Sequence, residues 1–177
     1  MMIPHIVKHL PKEQYQELMK LTKIPLQYST IGLRNWRAVK EAGIGMAMSP
    51  GNMHQAVNMD FPTSMGGYEY TNSPNDPCIL HMRCCLQGDT HGAPAIQQFK
   101  EARSRMLRKK FSGWEAEICA HLTGMLPKNY FNFDRDVASI TVNRWAHGYS
   151  YGKVSEIGVR PFGKIAIANS DASGSSL

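Results

Sequence analysis

Long apolar runs are missing from this sequence. A membrane-spanning helix needs about 20 consecutive apolar residues, but His81 and Arg83 interrupt the stretch 78–86, and the stretch 165–168 is far too short. No membrane partner is therefore expected. The opening Met1-Met2-Ile3-Pro4-His5 lacks the basic and apolar segments of a signal peptide. The polypeptide as written is expected to be soluble and to carry no export address of its own, which leaves its localisation open.

Cysteine is scarce as well. The four residues Cys78, Cys84, Cys85 and Cys119 show neither CxxC spacing nor the density of a secreted disulfide scaffold. They read as small buried apolar groups. The pattern Cys78-x-x-His81-x-x-Cys84 mixes soft ligands at a spacing that suggests zinc. A strand over residues 77–85, however, sends successive side chains to opposite faces, so His81 points away from Cys78 and Cys84 and no metal site is expected. His5 and His9 have helix-compatible spacing but no third ligand nearby. Asp134 and Asp136 flank Arg135 in what reads as a turn. A Ser/His/Asp set, a phosphate loop and a paired-carboxylate site are all lacking.

What is present is ordinary globular material. The 177 residues are 42% hydrophobic and 19% charged, enough for a core. The formal charge is +6 and the pI about 9.2, which raises the question of a nucleic-acid partner. Between Lys100 and Lys110 there are six basic residues and one acid, Glu101, so this window carries almost all of the excess. On a helix these charges flank an apolar stripe of Ala95, Phe99, Ala102 and Met106 rather than forming one row. A solvated helix surface explains them better than a nucleic-acid patch.

Periodicity organises the chain. Residues 11–22 read as a helix with Tyr15, Leu18 and Met19 on its apolar side. Strands are expected at 26–33, 44–48, 54–61 and 77–85, separated by Gly51, Pro62, Gly66, Gly67, Pro74 and Pro77. Two helices follow at 94–109 and 113–126, the second opened by a Ser112-x-x-Glu115 capping box. Its inward face is Trp114, Ile118, Leu122 and Met125, with His121 at the border. A strand at 137–145 alternates Ile140 and Val142 with Ser139, Thr141 and Asn143. A last strand is expected at 164–168, with Ile165 and Ile167 on one buried face.

Two stretches have ligand-facing composition. Thr141-Val-Asn-Arg-Trp-Ala-His-Gly-Tyr-Ser-Tyr151 runs from a strand into a loop dense in aromatic, imidazole and glycine groups. Gly148 permits close backbone approach to a flat ring, while Trp145, Tyr149 and Tyr151 can line a pocket for a cation. An aromatic cluster sealing a core would use the same letters. In the second stretch, the strand 164–168 delivers Asn169, Ser170 and Asp171 at its carboxyl end, suited to sugar hydroxyls or to a plain polar turn.

Residues 140–151 and 162–172 together resemble the closing section of FAD-dependent amine oxidases and dehydrogenases, in particular the bacterial spermidine-dehydrogenase-like group. Ala146, Ser150 and Lys164 stand where the family has proline, alanine and arginine. The segment 25–37, Asp60-Phe-Pro62 and residues 73–77 resemble its substrate-domain strands and turns. The resemblance implies an α+β, amine-oxidase-like fold: a mixed or antiparallel substrate-domain sheet with a helix pair over residues 1–136, then residues 137–177 returning toward a flavin domain. It implies FAD as cofactor and a small amine, of polyamine type, as substrate, oxidised by hydride transfer to the flavin. By the same resemblance His147, Gly148 and Tyr149 approach the flavin ring, Asn169, Ser170 and Asp171 lie near its ribityl chain, and Trp145 and Tyr151 border the amine pocket.

The turn that would hold the cofactor's pyrophosphate is missing. Gly43-Ile-Gly45 has Met48 where the third small residue belongs, and it enters a strand. The segment 152–161 is shorter than the family's, and residue 177 falls before the family's closing helix. The expectation is an incomplete enzyme, inactive alone or completed by a second polypeptide with the dinucleotide-binding fold. A non-catalytic remnant or interaction module is the alternative, and a basic nucleic-acid binder the third.

Overall fold

The computed structural model of the chain describes residues 2–151 and 155–168. Two short helices, α1 (Ile3–Ile6) and α2 (Lys12–Met19), are followed by the strands β1 (Thr22–Lys23) and β2 (Leu26–Leu33). Helix α3 (Arg37–Glu41) leads to β3 (Met46–Met48), β4 (Ala56–Met59) and β5 (Cys78–Cys85). The helices α4 (Ala95–Arg108) and α5 (Phe111–Met125) precede the single turn α6 (Phe133–Asp136) and strand β6 (Val137–Trp145). Strand β7 (Ser150–Tyr151) and the turn α7 (Glu156–Val159) come last. The chain is α+β, as expected, and every strand pairing among the described residues is antiparallel.

These elements fall into two units. One comprises residues 26–86 and 105–145; the other comprises 1–25, 87–104 and 146–177. The division passes through α4, between Ser104 and Arg105.

The first unit is built on a five-stranded sheet in the order β3-β4-β5-β2-β6. Alternation decides its two faces. On β2, Gln27, Ser29, Ile31 and Leu33 are buried, and on β5 Cys78, Leu80, Met82 and Cys84 are buried. Helix α5 covers this side with Trp114, Ile118 and Leu122, spaced four residues apart on one stripe. Ile31, Leu33, Val57, Leu80, Met82, Ile118, Leu122 and Phe131 form one core cluster. Each such side chain contributes about 1.5–3 kcal/mol on burial. The end of β2 is tied down by Asp136, whose backbone oxygen accepts from Arg34 N at 2.8 Å and whose carboxylate accepts from Asn35 Nδ2 at 3.1 Å.

In the second unit β1 pairs with β7, Thr22 opposite Tyr151 and Lys23 opposite Ser150. Helix α2 is fastened to the end of α7 by the buried Gln14, whose Nε2 donates to Arg160 O at 2.6 Å. The first turns of α4 contribute the buried Phe99 and Ala102. Phe99 meets the Tyr151 ring edge-on, with centroids 5.3 Å apart.

Three expectations are corrected. Helix α5 starts two residues earlier than the capping-box reading places it, with Lys110 at its N-cap and no side-chain cap bond, so Ser112 lies inside the first turn. The helix is held by burial of Trp114, Ile118 and Leu122, which outweighs one cap bond of about 1 kcal/mol. On α2 the buried residues are Gln14 and Leu18, while Tyr15 and Met19 are 41% and 44% exposed. The polar Gln14 is inside because two carbonyls near α7 accept from it. Residues 164–168 form no strand: Phe162 and Ile165 exchange backbone bonds of 2.8 and 2.9 Å around Gly163 at φ 58°. Ile165 is 45% exposed rather than buried. A tight turn here uses the positive φ that glycine permits.

Candidate functional site

The sheet of the first unit has one face covered by α5 and another that bears polar and aromatic groups. On β2 the outward positions include Tyr28 and Thr30; opposite them are Arg83 and His81 on β5, and Asn143 and Thr141 on β6. Trp145 follows Asn143 by two residues and so lies on the same side. Its ring stacks beside Tyr28, with centroids 6.4 Å apart and planes 15° from parallel. Tyr28 also contacts the His81 ring at 5.3 Å between centroids.

His81 is positioned by a carboxylate. Its Nε2 is 3.0 Å from Asp60 Oδ1, at the end of β4. With the ring proton on Nε2, that atom donates to Asp60 and fixes the ring. His81 Nδ1 is enclosed, so the part of the pair open to a ligand is Asp60, whose side chain is 31% exposed. Arg83 turns sideways, its Nη2 donating to Asn58 Oδ1 at 3.3 Å. Burial raises the Tyr28 hydroxyl above the usual phenol range, with Arg83 pulling it down and Asp60 pushing it up. Two flat rings beside a carboxylate suit a small organic cation: the rings present negative faces and Asp60 a full negative charge.

The aromatic loop that looked continuous in sequence is divided between the units. Trp145 is in the sheet unit, 54% exposed. His147, Gly148, Tyr149 and Tyr151 belong to the other. Gly148 N donates to Ile24 O at 2.8 Å, and Tyr149 O accepts from Ile24 N at 2.9 Å, which pins the loop against β1. Tyr149 and Tyr151 are about half exposed, and His147 lines a cavity in the same unit. Asn169, Ser170 and Asp171 lie outside the described residues.

A second cluster of perturbed groups is enclosed in the core of the sheet unit. His54 is 1% exposed, 6.4 Å from the Trp114 ring and 6.1 Å from that of His121. Burial, with help from His121, pushes its pKa down to about 4. His121 Nε2 is 3.2 Å from Ser49 Oγ, the boundary role anticipated for it. Lys109 Nζ lies 4.6 Å over Trp114 and pairs with Glu117 at 3.2 Å. This cluster packs helix α5 against the connection between β3 and β4. Among the described residues no group of three or more potential ligands is arranged to hold a metal. Cys78 and Cys84 do face away from His81, as alternation required.

The Gly43 turn does not fit a flavin's pyrophosphate. Gly43, at φ 65°, ends α3 and leads into β3, so it exposes no helix N-terminus to a phosphate. Tyr28, Asp60 and His81 were not singled out from sequence as site residues. The signal lay in the alternation of β2 and β5, which already placed Tyr28 and His81 opposite the apolar rows, but their neighbourhood depends on strand order. Among the described residues no helix is long and apolar enough to cross a membrane. No protein-family model matches the chain, and neither does any curated protein.

Proposed function

We propose that this chain is the substrate-domain portion of a flavin-dependent amine oxidoreductase, completed by a second polypeptide that carries the dinucleotide-binding fold. The observation that supports it most is the open sheet face, where the Tyr28–Trp145 stack stands beside the Asp60–His81 pair. The resemblance of residues 140–151 and 162–172 to amine oxidases and dehydrogenases points the same way.

In this reading the chain's own residues bind and orient the amine. Asp60 attracts the ammonium, His81 holds Asp60 in place, and the Tyr28 and Trp145 rings flank the carbon next to nitrogen. The partner polypeptide would hold FAD, which when bound would supply hydride-acceptor chemistry for that carbon. The amine-oxidase-like fold, the approach of His147, Gly148 and Tyr149 to the flavin ring, and a place for Tyr151 at the amine pocket belong to the same proposal.

A titration with spermidine, followed by tryptophan fluorescence, tests the amine face. Binding is expected to weaken about tenfold in Trp145→Ala and in Asp60→Asn, the loss of about 1.4 kcal/mol from one cation–π or charged contact. Unchanged affinity in both variants rejects this face as the amine site.

A second reading is a non-catalytic interaction module. Met46 and Met48 on the edge strand β3, with Phe61 and Met65 beyond β4, are 61–77% exposed, the kind of apolar surface that partners cover. The nucleic-acid reading gains nothing from α4, where the Arg103 guanidinium turns inward to backbone carbonyls.

A further inference from the structure

A cavity of about 550 Å³ lies within the unit that contains α2, β1 and β7. Its size is that of small-molecule pockets, which run from about 300 to 1,000 Å³. The lining has two parts. Leu18, Ile96 and Phe99 contribute apolar walls, and His5, Lys23, Lys100, Arg103 and His147 contribute basic groups. Among the described residues no acidic one lines it.

Arg103 is the built element. It projects from α4, and its guanidinium is locked by two backbone carbonyls, Nε donating to Ala146 O at 2.7 Å and Nη2 to Lys23 O at 3.2 Å. Neutral carbonyls orient the fork without cancelling its charge. Two bonds leave three of the five N–H donors for another acceptor. Burial lowers the Arg103 pKa from its ordinary value, and a partly desolvated cation gains most from an anion placed beside it. Lys100, one turn earlier on α4, is exposed and adds a second cation at the same wall. His147 registers this environment: burial first, then Arg103 and Lys23, hold its pKa below the usual imidazole value.

We propose that this cavity binds an amphipathic organic anion, a carboxylate with an apolar tail, its head on Arg103 and Lys100 and its tail against Leu18, Ile96 and Phe99. The planar fork of Arg103 matches a carboxylate, and the point charge of Lys100 adds attraction without directional demand. An apolar tail follows because half of the wall offers nothing polar to bond. The inference uses neither the sheet face nor a flavin, and shares only His147 with the amine reading.

The test uses the full chain with octanoate, octanol and inorganic phosphate as probes, followed by calorimetry and by NMR titration of the His147 ring. Octanoate is expected to bind saturably and to move the His147 titration to higher pH, because a bound anion offsets the nearby cations. Octanol and phosphate, tail and head alone, are expected to bind at least about tenfold more weakly, each lacking one contact class worth about 1.4 kcal/mol or more. Arg103→Gln should weaken octanoate about tenfold and Lys100→Gln about threefold, while Lys40→Gln in the other unit changes nothing. Arg103 also ties two backbone segments together, so Lys100→Gln and the His147 shift carry the test if Arg103→Gln fails to fold. Octanol binding as tightly as octanoate, a His147 titration unmoved by octanoate, or octanoate affinity untouched by Lys100→Gln overturns the proposal.

Discussion

Tyr28 on β2 and Trp145 on β6 stack across adjacent antiparallel strands, their ring centroids 6.4 Å apart and their planes 15° from parallel. Cross-strand aromatic pairs of this kind contribute about 0.5–1 kcal/mol to a sheet. Trp145 is more than half exposed, so Trp145→Ala should leave the protein folded, lowering its unfolding free energy by about 1 kcal/mol. Urea denaturation followed by circular dichroism measures this, and a loss of several kcal/mol would assign Trp145 to the core instead of the exposed sheet face.

The enclosed His54 makes stability depend on pH in a defined window. Its folded-state pKa is about 4, below the ordinary 6.5, so the unfolded chain takes up the proton first as pH falls. The His54 contribution is therefore full above about pH 6.5, declines by about 3 kcal/mol between 6.5 and 4, and is constant below. Denaturant midpoints across this range should show the decline, and His54→Phe should flatten it. A profile as steep in the variant as in the parent would contradict the assignment.

How much of this was legible beforehand depended on the range of the interactions. Strands β2, β5 and β6 and the inward stripe of α5 followed from periods of two and 3.6 residues, because local alternation and burial agree there. The site did not. Tyr28, His81 and Asp60 are far apart in sequence and meet only because β2 lies between β5 and β6, with β4 beyond β5. Conversely, Trp145 and His147 are two residues apart yet belong to different units. The missed turn at Gly163 and the absent cap at Ser112 have a common cause. A glycine or serine signal says that a local conformation is allowed, while tertiary packing decides whether it is used.

Thiol chemistry distinguishes the cysteines. Burial pushes the Cys78 and Cys84 thiols up to about 12, and both side chains are almost inaccessible. Cys85 points to the opposite face from Cys84 and is exposed. Iodoacetamide under native conditions should modify Cys85 well before Cys78 and Cys84, as read by peptide mass spectrometry. Early labelling of Cys78 or Cys84 would show that β5 does not have this register.

Asp136 is the polar anchor of the sheet unit. Its carboxylate pairs with Arg135 at 2.7 and 2.8 Å and accepts from Asn132 N at 2.8 Å, although the residue is 2% exposed. The Arg135 bonds hold its pKa down to about 2, against the opposing pull of burial. Its contribution is present above the ordinary carboxylate range and disappears as pH falls toward 2, below the His54 window. Asp136→Ala strands the Asn132 amide and the Asn35 side chain, and should cost about 3 kcal/mol at neutral pH by urea denaturation. A cost under about 0.5 kcal/mol would remove Asp136 from this role.

The central claim is that this chain frames an amine for a flavin that another polypeptide holds. The direct measurement is the visible absorption spectrum of the chain purified alone and together with any polypeptide encoded beside it that carries a dinucleotide-binding fold. The account predicts no flavin in the isolated chain, flavin bands in the joint preparation, and bleaching of those bands by spermidine under anaerobic conditions that needs about tenfold more spermidine in Trp145→Ala. Flavin retained by the isolated chain, or none in the joint preparation, would contradict it.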